Sequence, residues 1–467
     1  MYNFRVVFTF IFLQACSELF AQENLVRTRL FVKEVITEGN QHTKKKYILL
    51  ETPFEEGKRL YADDLLPYMK IAKENLLRTS LFDSVSVNIQ TWVNDTIQIK
   101  IKVKERWYIY PSPVFDIVDR NFNEWWETYN HNMSRTIFGL RAYHMNFLGM
   151  GDKLEANIIA GYNKKLELRY ELPFYDRERN GLYGEVSYIT NKEISYITKE
   201  NKIQLIKGDN ILRKKFRTTL ALTKREKFTQ THFAGIQIFY NTIADTVALL
   251  NPDFFLETKK KKQFFPGLLY RYVYNNTNSK YYPTKGLYIK AEINPLGLRI
   301  TDDYNALRIY AHGSFYYSIK PKINAYNTLK VQYTRSAQIP YFNYRALGYE
   351  EDFVRGYEYY VIDGENFVLN KNTIRYEIFN RKLNLGKFSF IPQMKKIPLK
   401  IYAKINADFG YVYASQFNTN NKLNNSLLYG YGVGLDFVSY YDISARVEYS
   451  INRQQEKGLY IHFKMVF

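Results

Sequence analysis

The sequence predicts a membrane all-β protein: a 16-stranded transmembrane antiparallel β-barrel preceded by one small α+β domain of order β-α-α-β-β. Three observations carry this expectation. Aromatic residues abound, with 43 Tyr and 33 Phe in 467 residues. Mean hydropathy is −0.39 although 46% of the chain is hydrophobic, so apolar and polar side chains must be finely interleaved. Beyond the N-terminus no stretch approaches the roughly 20 apolar residues that a spanning helix needs, whereas alternation over about 10 residues suits a spanning strand.

Residues 1–21 read as an export signal. Arg5 precedes the apolar run from Val6 to Leu13, and the small Ala21 stands before Gln22-Glu23-Asn24. Leu13-Gln14-Ala15-Cys16 also resembles a lipoprotein cleavage box, although a cut before Cys16 would leave a very short apolar core. Cleavage after Ala21 removes the only cysteine, which excludes a disulfide framework and thiolate metal chemistry. Neither cofactor nor metal is expected. The formal charge is +20, and residues 22–110 hold 15 Lys and Arg against 12 Asp and Glu, so about +17 falls on the rest. In a barrel such an excess belongs to the polar lumen and to loops near anionic headgroups, and nucleic acid is not expected as a partner.

Residues 22–110 form the small domain. Phe31 to Ile36 reads as a strand, followed by Glu38-Gly39-Asn40 and by Thr43 as the cap of a short helix. A second helix begins at Asp63-Asp64, accepts Pro67 in its first turn, and sets Leu65, Tyr68, Met69 and Ala72 on one face. Two strands then alternate cleanly. Val85, Val87 and Ile89 face inward against Ser86 and Asn88, and Ile97, Ile99, Ile101 and Val103 against Gln98, Lys100, Lys102 and Lys104, with a turn at Trp92 to Asp95.

From 111 to 467 the helical period disappears. Leu166, Leu168, Tyr170 and Leu172 oppose Lys165, Glu167, Arg169 and Glu171, and the same contrast recurs at Leu287 to Asn294 and at Leu399 to Phe409. Strands so long and so charged on one face suit a wall between lipid and a polar lumen, where closure satisfies the backbone. At roughly 22 residues per strand with its loop, this region holds about 16 strands, an even number as in bacterial barrels. The end of the chain sets Leu459, Ile461, Phe463, Met465 and Phe467 on one face, and the terminal aromatic resembles the recognition signal of outer-membrane barrels.

Several segments together resemble the BamA/TamA-type outer-membrane assembly factors, also described as bacterial surface antigens. In the first region these are Glu38-Gly39-Asn40, the run Leu76-Leu77-Arg78-Thr79-Ser80-Leu81-Phe82 and Val103-Lys104-Glu105-Arg106, which look like landmarks of a POTRA domain. In the barrel they are Asn146-Phe147-Leu148-Gly149-Met150-Gly151-Asp152, Pro173-Phe174-Tyr175, and Tyr282-Pro283-Thr284-Lys285-Gly286. The most specific is Val354-Arg355-Gly356-Tyr357, similar to the motif at the tip of the family's loop that folds back into the lumen. It is followed by Arg375-Tyr376-Glu377 and Asp408-Phe409-Gly410, in the family's order, while Asn406 stands where the family has an aromatic and Gly348-Tyr349 where it has a glycine pair. Strand phase points Glu377 and Asp408 into the lumen, where both are expected to pair with Arg355.

The resemblance implies a non-enzymatic factor of the outer membrane, with its POTRA-type domain in the periplasm, that inserts barrel proteins or passes polypeptides. Its partners would be the lipid bilayer and unfolded outer-membrane or secreted clients, with accessory lipoproteins as further partners. Clients would bind by strand addition at the POTRA sheet edge and at the barrel seam. Two rivals are a passive channel or structural barrel, and a lipid hydrolase drawing on His131 with Ser134, or on His144.

Overall fold

The computed structural model describes residues 28–464 except 119–121, 227–228, 257–259, 280–281, 302, 350, 385–395, 418 and 440–443. The expected leader and the terminal Phe467 therefore lie outside the described residues. The chain divides into two compact units, 1–107 and 108–467.

The first unit contains β1 (Arg29–Glu38), α1 (Lys45–Leu50), β2 (Arg59–Tyr61), α2 (Leu65–Arg78), β3 (Phe82–Val93) and β4 (Thr96–Glu105). The strands lie in the order β2-β1-β4-β3, with β1 and β4 parallel and the other pairs antiparallel. The short β2 adds one strand to the expected order. Alternation on β4 buries Ile97, Ile99 and Ile101 completely, and α2 lays Leu65, Ala72 and Leu76 on that apolar face. Thr43 does not cap α1. The cap position is Lys44, without a side-chain bond, and the Thr43 and His42 N–H groups instead donate to the Glu105 carboxylate at 2.6 and 3.0 Å. Gly39 has φ +85° and a Cβ there would lie 2.1 Å from the Val103 carbonyl oxygen, so two landmark segments of the sequence are packing partners.

The second unit is a wall of sixteen antiparallel strands. It begins with β5 (Ile109–Ile117), β6 (Thr136–Met145), β7 (Lys153–Gly161), β8 (Asn163–Leu172) and β9 (Asn180–Asn191). A separate hairpin, β10 (Glu193–Lys199) with β11 (Lys202–Lys207), rises from the loop after β9. The wall resumes with β12 (Arg213–Glu226), β13 (Gln230–Ile243), then α3 (Asp245–Leu250) in a loop, β14 (Lys262–Asn275), β15 (Gly286–Leu296), β16 (Ala306–Lys320) and β17 (Ile323–Arg335). It ends with β18 (Asn366–Asn384), β19 (Lys396–Tyr413), β20 (Leu427–Val438), β21 (Ser444–Asn452) and β22 (Lys457–Lys464). Its first strand starts at Ile109, so Ile109 and Tyr110 belong to the wall and not to the preceding domain. Among the described residues no helix is long and apolar enough to cross a membrane.

The wall is inverted relative to a water-soluble sheet. Leu166 and Leu168 are 57% and 49% exposed, while Glu167 between them is 4% exposed. Inside, Arg169 meets Glu155, Glu167 and Glu185 at 3.2 to 3.4 Å, and Glu185 also meets Arg217 at 2.5 Å. Apolar side chains therefore face outward, as lipid requires, and ions neutralise one another within.

Among the described residues the sheet does not close on itself. Neighbouring strands pair in order from β5 to β22, but no ladder joins β5 to β22 among the described residues. The sequence of β5 supplies a reason. Tyr108 accepts from Met145 N–H and the Val118 N–H donates to Arg135, so even-numbered residues turn their backbone groups toward β6. Pro111 and Pro113 therefore have their missing N–H groups on the opposite edge, the one that would have to pair with β22.

Candidate functional site

The loop between β17 and β18, residues 336–365, is held inside the wall by its own apolar side chains. Leu347, Val354, Tyr357 and Ile362 are buried together with Phe367 and Leu369 of β18, Val412 of β19 and Leu428 of β20. The turns that bring them there use left-handed backbone at Gly348 (φ +91°) and Gly356 (φ +93°). At Gly348 a Cβ would sit 2.3 Å from the Tyr360 carbonyl oxygen, so the glycine is required by space as well as by conformation.

At the tip, Arg355 grips β19 in two-point fashion. Its Nε donates to Asp408 Oδ2 at 2.6 Å and its Nη2 to Asp408 Oδ1 at 2.5 Å, and its backbone N–H also donates to Asp408. Nη1 reaches Thr373 Oγ1 on β18 at 3.1 Å and Glu448 of β21 at 3.5 Å. The charges then alternate: Glu448 meets Lys404 at 2.9 Å, Lys404 meets Asp436 at 2.5 Å, and Asp436 meets Arg446 at 3.6 Å. One loop residue is thus tied to four consecutive strands, β18 to β21, through paired ions and not through isolated buried charges. Asn406, the departure from the family pattern, accepts from Thr373 at 3.0 Å and donates to Glu448 at 3.2 Å, filling by hydrogen bonding the place of an aromatic.

The wall beneath the loop is lined with glycine. A Cβ at Gly430 would lie 1.9 Å from the Arg355 carbonyl oxygen, and one at Gly410 would lie 2.6 Å from Val354 Cγ2. Asn452 closes the far side by donating to the Gly356 carbonyl at 2.9 Å. Sequence reasoning missed this groove, and the repeat Gly430-x-Gly432-x-Gly434 is the signal that could have found it, since period-two glycine strips one face of a strand of its side chains.

Glu377 does not join Arg355. It accepts from Tyr402 Oη at 3.0 Å and from Asn380 at 3.0 Å. Four residues separate it from Thr373 along β18, about 13 Å at 3.3 Å per residue, which puts its carboxylate beyond the reach of the guanidinium. Glu448 and Thr373 take the places around Arg355 that the sequence reading gave to Glu377. Arg375, from the same motif, organises a second cluster: its guanidinium lies 4.1 Å from the Tyr282 ring centre and donates to the Pro283 carbonyl. Tyr282 stacks on Tyr402 at 5.1 Å and donates to Asp436 at 2.8 Å. The segment before Gly286 is thereby fastened to β18, β19 and β20, and Asp436 links it to the Arg355 network.

At the long-loop end the same loop is sealed from above. Asn201, at the tip of the β10–β11 hairpin, receives the Val361 N–H at 2.8 Å and the Leu423 N–H at 3.0 Å, and donates to Asn424 at 2.8 Å. His131 and Ser134, considered for hydrolysis, each turn to a different partner. His131 lies against Trp126 with ring centres 4.7 Å apart, and Ser134 N–H donates to Asn132.

A sixteen-stranded wall with such a loop inside can be compared with known proteins. A family model described as the Omp85 superfamily domain matches residues 146–464, more than half of the chain. The chain belongs to the Omp85 superfamily. A second model, for the POTRA surface antigen variable number repeat, matches residues 30–106. Among solved structures, the Omp85 chain is similar to BamA from Haemophilus ducreyi lacking POTRA domains 1–3, with TM-score 0.64, 16% identity, and 93% of this chain and 83% of that one covered. CdiB from Acinetobacter baumannii is similar at TM-score 0.55 and 13% identity, covering 93% of this chain and 73% of that one. CdiB from Escherichia coli gives 0.56 and 11%, covering 93% and 75%. A search of curated proteins finds no match.

Proposed function

We propose that this Omp85 protein resides in the outer membrane with its POTRA domain in the periplasm, and there inserts barrel proteins or passes unfolded polypeptides. The observation that carries this reading is the seam, where Pro111 and Pro113 withhold two donors from the edge of β5 and no ladder joins β5 to β22 among the described residues. Such an edge is a template for an extended client, because backbone hydrogen bonds read no sequence.

The POTRA sheet offers a second edge of the same kind, and its two sides differ. On β1 the Glu56 carboxylate accepts from the Val35 N–H at 2.8 Å, and the Val32 N–H and carbonyl bond to Lys58 and Gly57, so that side is covered. β3 runs twelve residues with β4 as its one ladder partner among the described residues, and exposes Trp92 and Val93. Clients are proposed to add to β3. No nucleotide is required if client folding drives the step.

A passive channel is disfavoured by the loop fixed within the lumen and by the seal at Asn201. It would give steady conductance independent of residues 29–106. Depletion of the protein, followed by quantitative comparison of the outer-membrane proteome, tests the proposal: loss of barrel or secreted proteins is expected, and unchanged levels of both would contradict it.

A further inference from the structure

The loop between β5 and β6 carries a side chain that takes the place of a missing strand. Asn123 is 9% exposed, and its amide spans the outer edge of β22. Its Nδ2 donates to the Leu459 carbonyl and its Oδ1 accepts the Ile461 N–H at 2.9 Å. These two groups flank Tyr460 and turn away from β21. They are two of the groups that a neighbouring strand would occupy, through one residue if it ran parallel and through two residues if antiparallel, and a carboxamide can supply both a donor and an acceptor there.

The loop that brings Asn123 there is braced at two points. Phe122 stacks on Trp126 with ring centres 5.6 Å apart, and Trp125 Nε1 donates to the Asn132 carbonyl at 3.1 Å. Glu127 receives the Tyr359 hydroxyl at 2.7 Å, and the Tyr359 ring meets Tyr460 of β22 at 5.7 Å. Tyr359 lies four residues beyond Arg355, so the anchored lumen loop and the seam cover are joined by a short run of direct contacts.

We propose that Asn123 is a latch, a side-chain surrogate for a strand that occupies the β22 edge until an extended client segment displaces it. Resting on the client-seam reading above, this adds the regulation of that site. Two neighbouring features favour a latch over simple structural filling. The prolines of β5 keep the wall's own strand from satisfying this edge fully, and a single side chain with two hydrogen bonds is released at far lower cost than a laddered strand.

The test uses full-length mature protein in lipid nanodiscs, with Asn123→Ala and Asn123→Asp variants whose folding is checked by heat-modifiable mobility. Two quantities are read: amide exchange at Ile461, and capture of a fluorescent peptide with the sequence of residues 457–467. Asn123→Ala should speed Ile461 exchange about tenfold, the effect of one lost hydrogen bond, and capture the peptide faster. Asn123→Asp keeps the acceptor for Ile461 and loses the donor to Leu459, so Ile461 should stay protected while capture still rises. Unchanged Ile461 exchange in folded Asn123→Ala overturns the latch. Faster exchange without faster capture overturns the competition between Asn123 and client, and leaves the assembly reading to stand or fall on depletion alone.

Discussion

Arg355 and Asp408 form a two-point ion pair between a loop tip and the wall, with side chains 5% and 0% exposed. A guanidinium held by both carboxylate oxygens fixes the loop's orientation as well as its position. The pair belongs to a network in which each buried charge has an opposite neighbour. Removing one member is therefore costlier than its contact distance suggests.

Arg355→Ala leaves Asp408 and Glu448 without their loop cation. A loss of about 3 to 5 kcal/mol in barrel stability is expected, read as a lower midpoint in urea or heat-modifiability titrations. Arg355→Ala with Asp408→Ala together should cost less than the sum of the single changes, since the second removes the charge that the first strands.

Gly430→Ala retains every charge and still evicts the motif, because the added methyl would fall on the Arg355 carbonyl oxygen at 1.9 Å. A destabilisation of about 1 to 3 kcal/mol is expected, with protease cleavage appearing within residues 336–365. Gly313→Ala, where a Cβ meets nothing within 4 Å, is the control and should behave as the parent.

Pro111→Val with Pro113→Val restores two N–H groups to the seam edge of β5. The wall should gain thermal stability and lose client assembly, measured as the rate at which a denatured barrel substrate folds into vesicles containing the protein. A double variant that assembles clients at the parental rate would show that seam pairing is not limiting.

In the POTRA unit, the Lys45 ammonium at 2.8 Å and then the Val35 N–H hold the Glu56 carboxyl below its ordinary value of 4.5. A folded-state value lowered in this way stabilises the domain above the ordinary value, and that contribution is lost as pH falls through the lowered one. The protection factor of the Val35 amide, its exchange measured against the unstructured rate at the same pH, should fall on acidification below about pH 4.5. Glu56→Gln, which keeps an acceptor but no charge, should remove most of that pH dependence.

Much of the architecture was legible in the chain. Alternation such as Leu166-Glu167-Leu168 fixes both strand and facing, because one side must meet lipid and the other water, while the lumen loop was implied by the family resemblance that Val354–Tyr357, Arg375 and Asp408 carry in that order. What escaped were facts of register. Glu377 and Asp408 both point inward, but phase alone does not give height along a strand, and only the ladder shows Glu377 too far down β18 for Arg355. Glu448 and Lys404 were invisible for the same reason, being ordinary inward charges until the loop arrives between them. Asn123 could not have been found from pattern, since its partners are backbone groups 336 and 338 residues away.

The most direct test of the seam as the client site is in-cell photo-crosslinking from position 115 on β5, which leaves both prolines in place, from position 93 on β3, and from position 220 on the lipid-facing side of β12. Newly made outer-membrane or secreted polypeptides should be captured from 115 and 93 and not from 220. Absence of adducts at 115, or equal adducts at 115 and 220, would contradict a seam that receives clients.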